Sequence, residues 1–144
     1  MPAATPADRF EILELCARMG RHVDDREWDR LEEIFAGHVR VRYSGPDGDE
    51  LRLTATELVE QWRTAREKLV ASQHLVTNHL IDVEGGLATG SAMFQSTHVR
   101  DSAPLATRGG RYDYSFVQSD GRWYIDSVTI TTIWKTGGEP ERLP

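Results

Sequence analysis

One change of period divides this sequence. Up to Leu69 the apolar residues recur mainly at helical spacing, and from Ser72 to Trp134 they alternate with polar ones. Sustained alternation marks half-buried strands, because successive side chains on a strand point to opposite faces. Helices gathered first and long strands afterwards predict an α+β fold. We expect a curved, mixed or antiparallel sheet wrapped around about three N-terminal helices, cone-shaped, with one internal pocket. No repeat or linker interrupts the chain, so one domain is expected over 1–144, with its core at about 8–134 and tails at 1–7 and 137–144.

Thr5-Pro6-Ala7-Asp8 is a helix start. Thr5 caps, Pro6 suits the first helical position, and Asp8 favours the positive end of the helix dipole. Ile12, Leu13, Cys16, Met19 and Val23 then follow with helical spacing, which breaks near Asp24-Asp25. A shorter helix carries Trp28, Leu31, Ile34 and Phe35 on its inner face, with Gly37 as its stop. Val39, Val41 and Tyr43 alternate with Arg40 and Arg42 as a strand, Ser44 to Gly48 turns, and Leu51-Arg52-Leu53 returns. Thr54 and Glu57 form a capping box that opens a helix bearing Leu58, Val59, Trp62 and Leu69.

In the first long strand His74, Val76, Asn78 and Leu80 share one face, and Gln73, Leu75, Thr77, His79 and Ile81 the other. Gly85-Gly86 turns into Leu87–Arg100, a second long strand with Ala92, Phe94, Ser96 and His98 on one face. Asp101 to Thr107 reads as a loop, and Gly109–Gln118 as a strand with Tyr112, Tyr114 and Phe116 on one side. Gly109-Gly110 is read as a bulge or a close backbone approach. Ser119-Asp120-Gly121 is a hairpin turn into a final strand, Arg122–Trp134, and the tail from Gly137 is expected to fray.

A formal charge of −6 with basic residues interleaved among acids argues against nucleic acid as a partner. No apolar run is long enough for a membrane span, and Met1 to Asp8 lacks the pattern of a secretory signal, so the cytoplasm is the expected compartment. The single cysteine, Cys16, has no partner for an internal disulfide and reads as a small buried hydrophobe. Neither a nucleotide-binding nor a zinc-protease fingerprint occurs.

The informative residues are ionisable side chains on apolar faces. His74 lies with Val76, and His98 with Ala92 and Phe94. Burying an imidazole requires a partner, and Asp24, at the end of the first helix, is the candidate, with Asp25 as the alternative. A carboxylate on one ring nitrogen fixes the tautomer and directs the other to take a proton. The plainer reading of each histidine is a satisfied core residue. A two-His-one-carboxylate metal site of Asp24, His74 and His98 is the rival reading, ranked below a general base, and no metal or cofactor is expected. The Tyr43 hydroxyl is placed to hold a carbonyl or a water, and Met19, Trp62, Asn78, Phe94, Tyr112 and Phe116 are the expected substrate contacts. Arg108 suits either an anionic substrate or, more commonly, a surface ion pair; of Arg111 and Tyr112 at most one faces inward.

The run Val23 to Leu31 with Ile34-Phe35, the run Ser72 to His79, the strand ending in His98, Gly109-Gly110-Arg111-Tyr112 and Asp120-Gly121-Arg122-Trp123 resemble SnoaL-like proteins of the nuclear-transport-factor-2-like superfamily. The resemblance covers about Asp8 to Trp134. Asp24, His74, His98 and Tyr43 fall in the order of the catalytic groups of scytalone dehydratase, although Val23 and Met19 stand where tyrosines occur in that type. The resemblance implies a cofactor-independent lyase of the dehydratase type, acting on a small cyclic or polyketide-like carbonyl compound. His74 would be the base oriented by Asp24, His98 the acid, and Tyr43 the group that polarises the carbonyl. The same fold also hosts isomerases, polyketide cyclases and non-catalytic binding or structural subunits. A small-molecule substrate and assembly as a homodimer or homotrimer are expected.

Overall fold

The structure, a computed structural model, describes residues 3–137. Its elements follow in the order α1 (Pro6–Asp24), α2 (Trp28–Glu33), β1 (Phe35–Arg42), β2 (Leu51–Thr54), α3 (Ala55–Ala65), β3 (Leu69–Glu84), β4 (Leu87–Arg100), β5 (Ala106–Ser119) and β6 (Arg122–Thr136). The strands form one curved, unclosed six-stranded sheet in the order β2-β1-β6-β5-β4-β3. Neighbours are antiparallel except β1 and β6, which pair in parallel. The expected α+β arrangement of helices and a mixed, curved sheet is therefore the one observed. Apart from Gly137 itself, the tail expected to fray from Gly137 lies outside the described residues.

The predicted capping box of Thr54 with Glu57 opens α3, and Thr5, predicted only as a cap, forms a second such box with Asp8 at the start of α1. Each satisfies backbone N–H groups that a helix start leaves without partners. The buried stripe of α1 (Ile12, Cys16, Met19, Val23) packs on the inner face of the sheet, where Phe94, Tyr112 and Ile130 join the core. The helix is also tied to the sheet by hydrogen bonds. The Trp123 indole N–H donates to Asp8 Oδ1 at 3.0 Å, and Arg9 donates to the Ile81 carbonyl at 2.9 Å. No helix among the described residues is long and apolar enough to cross a membrane.

Some boundaries differ from the sequence expectation. The second helix stops at Glu33, and Phe35 already pairs with Ile125, so Gly37 lies inside β1 rather than ending a helix. A helix this short gains little from its own hydrogen bonds, and the edge of β6 offers a better set. Likewise α3 ends at Ala65 and Leu69 opens β3, while β5 begins at Ala106, within the stretch read as a loop.

The largest departure is in β3. Asn78 adopts φ +57, and the pairing with β4 shifts between Thr77↔Met93 and Leu80↔Ser91. This is a β-bulge: one extra residue inverts the inward and outward positions that follow. Leu80, expected inside, is 74% exposed, whereas Ile81, expected outside, is 8% exposed. Asn78 itself is exposed and does not share the interior with His74. His79 is half-buried for the same reason, and burial lowers its pKa.

Gly109-Gly110 is both a bulge and a close approach. The register with β6 shifts there, and a Cβ on Gly110 would stand 2.0 Å from the Thr131 carbonyl oxygen.

Candidate active site

The end of α1 is pinned to the edge strand. Just past the helix, the Arg26 guanidinium donates to the carbonyl of Leu69, the first residue of β3. This docks Asp24 onto the strand. Its Oδ1 accepts from the Ser72 hydroxyl at 2.7 Å and lies 2.8 Å from His74 Nδ1. Its Oδ2 accepts from the His74 backbone N–H at 2.7 Å. The His74 side chain is 1% exposed and that of Asp24 14%. Burial pushes the Asp24 carboxyl up, but the hydrogen bond and charge of His74, the Ser72 hydroxyl and the His74 backbone N–H outweigh it and hold the group below its ordinary value. A carboxylate on Nδ1 selects the tautomer with hydrogen there and directs the ring's basicity to Nε2. Asp25, the alternative carboxylate, instead pairs with Arg21 at 2.9 Å on the surface.

Strands β4 and β5 extend this polar patch across the inner face. The register sets His74 opposite Ser96 and Ser96 opposite Arg108. One row away lie Ser72, His98 and Ala106, and on the other side Val76, Phe94 and Gly110. Ser96, His98 and Arg108 are buried. The rings of His74 and His98 meet edge-on with centroids 6.3 Å apart. Phe94 stacks on Tyr112 at 4.2 Å, and the Arg108 guanidinium lies 5.7 Å from the Phe94 centroid. The polar rows thus border an aromatic one. Arg108 does not lie on the surface, because position 108 shares the inward parity of Gly110 and Tyr112. Arg111 points out and pairs with Asp113 at 3.0 Å.

From the other side α3 contributes Trp62, whose indole N–H donates to the Tyr43 hydroxyl at 2.8 Å. Tyr43 lies just past the end of β1 and its hydroxyl oxygen is the acceptor in that bond. Met19 is fully buried in α1. Phe116 is buried too, but it lies eight residues along β5 from Arg108, about 26 Å on an extended strand, and is not gathered with the others. The Cys16 thiol is buried and pushed up to about 12 by desolvation, which leaves it unreactive. Among the described residues no three His, Cys, Asp or Glu side chains are gathered as metal ligands.

Two contributors escaped the sequence reading. Ser72 completes the carboxylate's hydrogen bonds. Arg66, the C-cap of α3, is 1% exposed and its Nε, Nη1 and Nη2 have no hydrogen-bond partner. Burial lowers its pKa to about 10, with Tyr112, Asp24, Arg108 and Tyr43 as electrostatic neighbours, so it stays charged at neutral pH among the groups of the site. The signal was present: Arg66 follows Trp62 by four residues, on the apolar stripe of the helix. The charged run Arg66-Glu67-Lys68 masked it.

A family model described as a SnoaL-like domain matches residues 4–129. No curated protein matches the sequence. Solved structures share the fold. The Kfla4162 protein from Kribbella flavida superposes with a TM-score of 0.83 at 21% identity, covering 90% of this chain and 93% of that one. A protein provisionally named a scytalone dehydratase, from Novosphingobium aromaticivorans, gives 0.81 at 18% identity, covering 96% and 93%. The hexachlorocyclohexane dehydrochlorinase LinA-type3 from Novosphingobium barchaimii gives 0.74 at 18% identity, covering 90% and 89%. At these identities the likeness is one of fold.

Proposed function

Because the chain belongs to the SnoaL-like domain family, we propose that it is a cofactor-independent lyase of the dehydratase type, with His74 as its general base. The observation that carries this reading is the buried contact of 2.8 Å between Asp24 Oδ1 and His74 Nδ1. An oriented imidazole beside a second buried imidazole is suited to moving two protons in one turnover. The names of the dehydratase-like and dehydrochlorinase structures of the same fold support an elimination.

In the proposed reaction His74 Nε2 takes the proton from the carbon alpha to a carbonyl. The electron pair forms the C=C bond as the C–O bond at the beta carbon breaks. His98 gives a proton to the departing hydroxide, which leaves as water, and solvent returns the proton from His74 to His98. Tyr43 donates to the carbonyl oxygen as negative charge builds there, and such donors are most effective when water is excluded. A small cyclic or polyketide-like substrate fits the neighbouring Phe94–Tyr112 stack. Leu75, Met93 and Trp134 leave apolar area on the outer face of the sheet, which supports assembly as a homodimer or homotrimer.

The test is a panel of cyclic β-hydroxy carbonyl compounds, followed by the absorbance of the conjugated product. His74→Ala is expected to lose nearly all turnover while keeping its fold. Turnover at the wild-type rate in that variant refutes the reading.

A further inference from the structure

The proposed chemistry leaves the buried charge of Arg66 unused. Arg66 is 1% exposed, and none of its three side-chain nitrogens has a hydrogen-bond partner. A guanidinium in that position is costly, since it has lost water and gained no acceptor. Asp24, an acid that acts on it electrostatically, already spends its oxygens on Ser72 and His74. A second buried guanidinium, Arg108, is among its electrostatic neighbours and disfavours its charge further. The hydroxyls of Ser96 and Tyr112 are also buried without a hydrogen-bond partner, and Tyr112 is an electrostatic neighbour of Arg66.

A planar guanidinium fork matches a carboxylate with two parallel hydrogen bonds, and buried hydroxyls add donors to the same anion. We infer that Arg66 recognises a carboxylate on the substrate, so that the site takes small cyclic organic acids in preference to neutral ketones. The inference rests on the lyase reading for where the reacting carbon lies, and on Arg66 alone for the recognition.

Calorimetric titration at pH 7 tests it with three probes: benzoate, its neutral analogue benzamide, and inorganic phosphate. Benzoate is expected to bind about tenfold or more tighter than benzamide, the scale of a charge-assisted hydrogen bond, and tighter than phosphate. Arg66→Gln is expected to lose about tenfold or more in benzoate affinity with benzamide unchanged, and Arg66→Lys, which keeps the charge without the fork, to fall between. Equal affinity for acid and amide, a preference for phosphate, no binding of benzoate, or wild-type benzoate affinity in Arg66→Gln each overturns it. The acid–amide comparison needs only the wild-type protein, so a poorly folded variant does not shield the inference. His74→Ala separates the two readings. Survival of turnover in that variant removes the lyase and leaves the Arg66 assignment standing, whereas failure of benzoate discrimination removes only the carboxylate.

Discussion

Gly20 faces His74 so closely that a Cβ on the glycine would stand 3.0 Å from the Cβ of His74 and 3.5 Å from its Cγ. Helix α1 and the edge strand therefore meet without an intervening side chain, about one turn before Asp24. Alanine at this helix-interior position would gain about 1 kcal/mol of helix propensity, but its methyl would push the imidazole by a few tenths of an ångström. Gly20→Ala is expected to melt near the wild-type temperature yet lose about tenfold in kcat, because proton transfer depends steeply on position. Paired thermal melts and steady-state kinetics check this, and an unchanged kcat would show that the imidazole tolerates the displacement.

Asp24→Asn keeps the shape of the side chain but removes its charge and replaces one acceptor oxygen with a donor. The amide would then confront N–H or O–H groups of Ser72 and His74. A fall in kcat of about 10²–10⁴-fold is expected, the range seen when an acid–base group is lost. Circular dichroism should show the fold retained.

The same carboxylate couples stability to pH. Its pKa in the folded protein is lowered, so the unfolded chain binds the proton more readily. The stabilisation is therefore present above the unfolded value of about 3.9 and is lost as pH falls through the folded one. Denaturant titrations of the wild type and Asp24→Asn at a series of pH values should converge as the pH drops through that window. A constant difference between the two would contradict the assignment.

Tyr43→Phe removes the acceptor for the Trp62 indole N–H, which is fully buried. A buried donor left without a partner costs about 1–3 kcal/mol. The variant should lose that amount in denaturant unfolding and also lose turnover. A variant with full stability would indicate that the indole finds another acceptor.

Gly110→Ala tests the bulge. The added Cβ would fall 2.0 Å from the Thr131 carbonyl oxygen and 3.0 Å from Phe94 Cε1, and the first of these is backbone that cannot rotate away. A loss of about 3 kcal/mol or more is expected, in the upper range for a single substitution. Melting temperature reads it directly.

Most of the element types were legible because their signals lie within a few residues of one another. Thr5 and Thr54 announced two helix starts, Ala92, Phe94, Ser96 and His98 marked one face of a strand, and Asp120-Gly121 marked a hairpin. Where the reading slipped, a tertiary partner overrode the local pattern. The ladder to β6 took Phe35 and Gly37 from a helix, and a bulge at Asn78 turned Leu80 outward and Ile81 inward. Arg66 slipped for the opposite reason: charge predicts exposure on average, yet this residue is buried by its position on the helix.

The sequence by itself determined that helices precede a long-stranded sheet, that imidazoles sit on apolar strand faces, and that a carboxylate ends the first helix. Periodicity and capping suffice for those statements, since each is settled by backbone geometry over a turn or a few strand residues. Only the tertiary structure decided that Asp24 rather than Asp25 meets His74, that Ser72 shares its oxygen, and that Arg66 and Arg108 lie buried beside them. Those contacts join segments up to about fifty residues apart. They depend on how α1 and α3 dock onto the sheet, and the packing of whole faces sets that docking.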